Sequence, residues 1–173
     1  MTISLFYEEM RAPIGTLTLF ESDQGLCLIQ FGSFEDTEVL TRKWLKRYMP
    51  EADLVHSASK LSRVITQLQQ YFAGERTEFE LDLEMRGTPF QVKVWNALRD
   101  VAYGKTETYK GIAEQIGQKT AVRAVGGANN RNPLPLIVPC HRIVGSDGSM
   151  TGYAGGISVK ETLLRLEERG MNV

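Results

Sequence analysis

Histidine and cysteine are scarce in this chain, with two of each among 173 residues. Cys27 and Cys140 cannot make a disulfide framework, and a pair of reduced thiols suits a cytoplasmic protein. Only His56 and His141 accompany them, and no close Cys/His spacing exists, so neither a metal site nor a metal cofactor is expected. Long apolar runs are also missing, so no membrane-spanning helix is expected. The start Met1-Thr2-Ile3-Ser4 lacks a basic stretch followed by an apolar one, and no signal peptide is read there. Neither sign of charge dominates: Lys and Arg number 20, Asp and Glu 21, and the net charge is −1. The molecule as a whole is therefore not a polycation. Its charge is nevertheless unevenly spread. From Gln115 to Ser146 there is no Asp or Glu, while Lys119, Arg123, Arg131 and Arg142 fall inside. Such a face is compatible with phosphate contacts and equally with solvated surface.

The length allows one domain or two small ones. The first third reads as strands. Ile3 to Glu8, Thr16 to Glu21 and Gly25 to Phe31 are rich in β-formers and are separated by turn signals at Pro13-Ile14-Gly15 and Asp23-Gln24-Gly25. Amphipathic periodicity predicts helices over about Glu35 to Tyr48 and Lys60 to Phe72, the second closed by Gly74. Thr77 to Leu83 alternates again and can return to the sheet. A boundary is expected at Glu84 to Gly87, giving domains of residues 1–84 and 85–173.

The second domain opens with Thr88-Pro89-Phe90-Gln91, a capping box with proline where no donor is needed. Phe90, Val94, Trp95, Leu98 and Val101 then form one apolar stripe, the pattern of a core helix. A further helix is predicted from about Glu107 to Ile116, stopped by Gly117, and another from Ala121 to Asn129, capped by Thr120. Two short helices around a glycine-containing turn form a helix-turn-helix pattern, which serves structural pairs as well as DNA binders. The last of these helices contains Gly126 and Gly127, each costing roughly 1 kcal/mol relative to alanine. Close helix packing explains them. So does insertion into a narrow groove, with Arg123 as the long projection. The fold class expected is α+β: a small antiparallel sheet with helices, then a mostly helical domain with a helix-turn-helix.

Asn132-Pro133-Leu134-Pro135 ends the helical hairpin, and the apolar strand Leu136-Ile137-Val138 is expected to lead into Pro139-Cys140-His141-Arg142. A free thiol with a reference pKa of about 8.5 is only a few per cent thiolate at neutral pH, and a neighbouring histidine can raise that fraction or assist proton removal. Adjacent residues of an extended segment face opposite ways, so His141 needs a bend or a bridging water to serve Cys140. Residue types alone also fit an inert core thiol, and Cys27, inside Leu26-Cys27-Leu28-Ile29, is read that way. The loop Thr151-Gly152-Tyr153-Ala154-Gly155-Gly156 can close backbone amides over a planar ligand beside Tyr153. Ser158 and Glu161 suggest a second capping box, opening a helix that runs through Val159, Leu163 and Leu166 to Gly170. Glu167 lies near the end of that helix, where the dipole disfavours a carboxylate without a partner; His141 is a candidate.

These residues reach a known family. Pro139-Cys140-His141-Arg142-Ile143, with Arg123-Ala124-Val125-Gly126 and Asn132-Pro133 before it and Gly152 to Gly156 and Lys160-Glu161 after it, resembles the O6-alkylguanine-DNA alkyltransferases. The resemblance is continuous from about Thr88 to Gly170. The first 85 or so residues match only in the order of elements, which resembles the family's ribonuclease-H-like domain. The resemblance implies DNA repair by irreversible, stoichiometric transfer of an alkyl group from O6-alkylguanine, with O4-alkylthymine as a second candidate substrate, to Cys140 without a cofactor. The partner would be double-stranded DNA, bound through the minor groove by a monomer with the damaged base flipped out. Thr120, Arg123, Gly126 and Asn132 would serve DNA binding, Arg123 filling the gap in the base stack and Asn132 bonding the turn before the cysteine. Tyr109 would push the nucleotide out and donate to N3 of the base. The Cys140 and Ile143 carbonyls would accept from the exocyclic amine, and the Ala154 amide would donate to O6, with Tyr153, Gly155 and Lys160 completing the pocket. Glu167, His141 and a water would remove the thiol proton.

Departures are local: Asn130 stands where glycine is frequent, Thr162 where tryptophan is frequent, and the zinc ligands of some relatives are absent. Three rival functions remain on residue grounds. A lesion-binding relative without repair activity would typically carry tryptophan in place of Cys140. A Cys-His hydrolase or acyltransferase needs an oxyanion hole, for which no separate signal exists. A plain helix-turn-helix regulator leaves the thiol without a role.

Overall fold

The computed structural model describes residues 2–171. It divides into two compact units, one ending at Arg86 and the other beginning at Gly87. Among the described residues no helix is long and apolar enough to cross a membrane.

The first unit is built on strands β1 (Ile3–Ala12), β2 (Gly15–Ser22) and β3 (Gly25–Phe31), joined by tight turns into an antiparallel meander. Helix α1 (Phe34–Tyr48) follows, its first turn closed by the Ser33 hydroxyl, which accepts from the Asp36 amide. Strand β4 (Ala52–His56) then pairs parallel to β1, and α2 (Ala58–Phe72) completes the unit. The sheet order is β3-β2-β1-β4, so the sheet is mixed rather than wholly antiparallel. The crossover through α1 explains the parallel edge, since a parallel neighbour needs a long connection. Leu5, Phe20, Cys27, Leu28, Leu45 and Met49 form the buried cluster under this sheet.

The expected return of Thr77 to Leu83 to the sheet is reduced to one isolated bridge, Leu26 to Leu83. The reason lies in Gln67. Its side-chain oxygen accepts from the Glu80 amide at 2.9 Å, and its nitrogen donates to the Glu80 carbonyl at 3.2 Å. A side chain thus takes the backbone groups that a strand partner would have used.

In the second unit, α3 (Pro89–Arg99) opens on the expected capping box, with Thr88 and Gln91 bonded reciprocally. Val94, Trp95 and Leu98 are buried, and the Trp95 indole donates to the Ala128 carbonyl at 2.8 Å. Glu107 does not start a helix. Glu107–Thr108 form β5, which pairs parallel with β6 (Ile143–Val144), and α4 (Tyr109–Gln115) begins immediately after, capped by Thr108. This two-residue ladder fastens the start of the helix pair beside the cysteine segment. Gly117, at φ +74°, turns the chain after α4. Helix α5 (Val122–Asn130) begins one residue later than expected: Ala121 occupies the N-cap without a side-chain bond, so Thr120 is not the cap.

Leu136-Ile137-Val138 is not a strand. Pro133, Pro135 and Pro139 remove the donors a ladder needs, and the Val138 amide turns back to the Leu134 carbonyl at 2.8 Å. Leu136 takes φ +76°, a left-handed conformation rare for a branched side chain, and is buried there. Cys140–Arg142 form a short 3-10 turn instead of an extended segment. Helix α6 (Ile157–Met171) closes the unit, with Ser158 inside its first turn rather than at its cap.

Candidate active site

Cys140 starts the 3-10 turn at the end of a proline-rich, almost wholly buried stretch. Asn132 holds that stretch in shape: its side-chain nitrogen donates to the Val138 carbonyl at 2.8 Å, and its oxygen accepts from the Leu134 amide at 2.9 Å. Cys140 is 5 % exposed. Burial pushes the thiol up to about 11, against the opposing pulls of a hydrogen bond from Asn132 and the charge of Lys160. The thiol is therefore protonated in the free protein at neutral pH.

The next two residues and α6 form one buried ionic knot. His141 Nε2 lies 2.6 Å from Glu167 Oε2. Arg142 grips the same carboxylate twice, Nε to Oε1 at 2.8 Å and Nη2 to Oε2 at 3.1 Å, and donates through Nη1 to the Val101 carbonyl at 2.6 Å. The Gly104 amide adds a bond to Oε1 at 3.3 Å. Burial opposes the Glu167 charge, but His141 and Arg142 together outweigh it and hold the carboxyl at about 2. Burial likewise lowers the His141 pKa, more than Glu167 raises it. At neutral pH the pair is an ionised carboxylate beside a neutral imidazole. With Nε2 donating to Glu167, Nδ1 carries the lone pair. That Nδ1 is buried and has no hydrogen-bond partner among the described residues. The arrangement suits a general base held in one tautomer.

A second network ties the loop to this centre. Lys160 is fully buried, and its ammonium donates to the Ile143 carbonyl at 2.5 Å and the Thr151 carbonyl at 3.0 Å. Its bonds thus go to backbone, and burial lowers its pKa. The Tyr109 hydroxyl, from the first turn of α4, lies 3.3 Å from the Thr151 carbonyl and 3.2 Å from Thr151 Oγ1. Within the loop, Tyr153 is half-buried, Ala154 exposed and Gly155 half-buried. The Tyr153 carbonyl accepts from the Gly156 amide at 2.9 Å, and burial pushes the Tyr153 hydroxyl pKa far up.

Arg123 sits exposed in the first turn of α5, and Thr120 is exposed just before that helix. Gly126 faces Tyr109: a Cβ there would stand 3.9 Å from the ring, in ordinary contact. The fold therefore brings Cys140, His141, Ile143, Lys160 and Glu167 into connected networks, with Tyr109 joined through Thr151. Arg123 and Thr120 lie on the helix pair, outside those networks. Arg142, counted with Lys119, Arg123 and Arg131 in the acid-free basic stretch, is buried and paired with Glu167, so it is no part of a phosphate-facing surface. Thr151 had no signal beyond its place in the loop.

The chain matches two family descriptions: the ribonuclease-like domain of 6-O-methylguanine DNA methyltransferase over residues 5–85, and the DNA binding domain of the same protein over residues 89–169. A methylated-DNA–protein-cysteine methyltransferase of Mycobacterium leprae is 52% identical, the match covering 92% of this chain and 90% of that protein. One from Methanosarcina barkeri is 42% identical over 96% of this chain and 99% of its own length. Among solved structures, the Mycobacterium tuberculosis O6-methylguanine methyltransferase superposes with a TM-score of 0.82 at 42% identity, covering 95% of this chain and 93% of that one. The Mycobacterium tuberculosis OGT in complex with DNA gives 0.82 at 40% identity, over 95% and 94%. The chain belongs to the methylated-DNA–protein-cysteine methyltransferase family.

Proposed function

We propose that this protein repairs DNA by direct damage reversal, moving the alkyl group of O6-alkylguanine onto Cys140 in a single irreversible turnover. The observation that carries the reading is the buried Glu167–His141 pair with its free Nδ1, adjoining a thiol held protonated by burial. A thiol at about 11 cannot rely on a standing thiolate population at neutral pH; it needs a base at the moment of attack. His141 Nδ1 takes the proton by way of a water, and ionised Glu167 stabilises the imidazolium that forms. The sulfur then bonds to the alkyl carbon as the carbon–O6 bond breaks. The electron pair passes into the purine, which leaves as a guanine anion within the DNA with the Tyr109 hydroxyl donating to N3. The anion becomes guanine by taking a proton at N1 from water as the imidazolium returns its own to solvent. A thioether is not hydrolysed by water under such conditions, so each molecule accepts one alkyl group. The residues invoked need no cofactor.

DNA is the partner. Helices α4 and α5 enter the minor groove, Arg123 fills the gap in the base stack, and Tyr109 displaces the nucleotide. The extrahelical base lies between the Tyr153–Gly155 loop and Cys140, with the Cys140 and Ile143 carbonyls accepting from its amine and the Ala154 amide donating to O6. Thr120 and Gly126 belong to the DNA-facing surface, while Asn132 and Lys160 hold the pocket walls. Residues 85–173 carry DNA binding and alkyl acceptance, residues 1–84 form the other domain, and the protein acts as a cytoplasmic monomer.

Peptide mass analysis tests this directly. After incubation with an oligonucleotide containing O6-methylguanine, we expect one methyl on the Cys140 peptide, never more than one per molecule, and none in Cys140→Ala. An intact lesion beside an unmodified Cys140 would sink the reading.

A further inference from the structure

The Thr151 side chain stands apart from the residues assigned roles so far, yet its peptide carbonyl is shared by two donors. Lys160 Nζ reaches that oxygen at 3.0 Å and the Tyr109 hydroxyl reaches it at 3.3 Å. The Thr151 hydroxyl oxygen lies a further 3.2 Å from Tyr109 Oη. A phenol has one proton to give and two lone pairs to receive with. If the Tyr109 proton turns towards an incoming base, the Thr151 carbonyl keeps Lys160 and is not orphaned. The Thr151 hydroxyl is then free to donate its own proton to Tyr109 Oη.

We infer that Thr151 is a positioning residue for Tyr109: its Oγ1–H donates to the phenol oxygen while the phenol proton is handed from the Thr151 carbonyl to the flipped base. This rests on the alkyl-transfer reading above. The hand-over exchanges hydrogen bonds and breaks no covalent bond. Its effect is directional. A donor behind the phenol oxygen fixes the hydroxyl rotor and strengthens the bond the phenol gives, because chained hydrogen bonds polarise one another. The fixed partner of the loop is Lys160, buried and bonded to Ile143 and Thr151. Thr151 itself lies exposed, where an arriving nucleotide can meet the Tyr109–Thr151 pair.

The test is single-turnover methyl transfer from duplex DNA at saturating protein, in four proteins besides wild type. Thr151→Val keeps the branched shape and loses the hydroxyl; its limiting transfer rate should fall roughly fivefold, the worth of one ordinary hydrogen bond. Thr151→Ser returns the hydroxyl and should recover most of that loss. In a Tyr109→Phe background, Thr151→Val should cost nothing further, because the partner is gone. The half-saturating duplex concentration should move far less than the rate. Equal rates for Thr151→Val and wild type, a Thr151→Ser as slow as Thr151→Val, or an undiminished loss in Tyr109→Phe would each overturn the inference. A wild-type protein that leaves Cys140 unmethylated would instead overturn the function, and this inference with it.

Discussion

Burial pushes the two neighbouring side chains of the proposed reaction in opposite directions. The Cys140 thiol is held at about 11, so on the order of one molecule in ten thousand carries a thiolate at pH 7. His141 is pushed the other way by burial and stays neutral. Attack by a standing thiolate would speed up about tenfold per pH unit until the thiol titrates. Attack assisted by His141 needs a protonated thiol and a neutral imidazole, a combination that holds from below the ordinary histidine range up to about 11. We therefore predict that methyl transfer rises as pH climbs through the lowered His141 pKa and is level from about pH 7 to about 9. Single-turnover rates across that span decide it. A steady tenfold climb per unit would show that His141 is not the base.

At the level of the element, α5 carries the oddest composition, and the structure weighs against one of its two explanations, close helix packing. A Cβ at Gly126 would stand 3.9 Å from Tyr109, and one at Gly127 would stand 3.8 Å from Arg131 Nη1, both ordinary contacts. Packing within the unit thus does not demand either glycine. Gly127 lies one turn beyond Arg123 and shares its face. Gly127→Ala should raise unfolding stability by about 0.5–1 kcal/mol through helix propensity, while weakening duplex binding by crowding the groove. Denaturation and a duplex titration on the same variant check both halves; unchanged or tighter duplex binding would return the glycines to internal causes. Local signals of this kind were read well where the responsible residues are neighbours, as in the Thr88–Gln91 box. They misled where distant partners intervene. Leu136-Ile137-Val138 has strand composition, but the prolines around it and the Asn132 side chain fold it into a turn. Strand β4 leaves little mark in the sequence because it is short and mostly exposed, with no buried residue. Glu167 was legible as a carboxylate at the wrong end of a helix with His141 as its candidate partner, and through the family resemblance; that Arg142 shares it needed the fold.

Across the whole molecule, each of the two units contains one tryptophan, Trp44 and Trp95, so their stabilities can be followed separately. Thiols raised by burial, Cys27 to about 12 and Cys140 to about 11, stabilise the fold below the ordinary thiol range and lose that contribution as pH rises through those values. The acid limb belongs to depressed groups. The folded state keeps His141 neutral, so stabilisation begins to fade as pH falls through 6.5. Glu167, at 1% side-chain exposure, is lowered from 4.5 to about 2, and its contribution is complete above 4.5 and lost towards 2. That shift corresponds to a contribution on the order of 3 kcal/mol. In a Trp44→Phe protein, fluorescence reports Trp95 alone, buried in α3 of the second unit. Its urea midpoint should hold near neutrality, decline through the histidine range, and fall most steeply below 4.5. Glu167→Gln should start from a lower midpoint, because Arg142 is left as a buried charge without its carboxylate. The decline below 4.5 should then be much shallower, since the group that must be protonated is gone. An equally steep acid limb in Glu167→Gln would mean that other carboxylates carry it, and that the knot joining α6 to the cysteine turn is not what acid undoes.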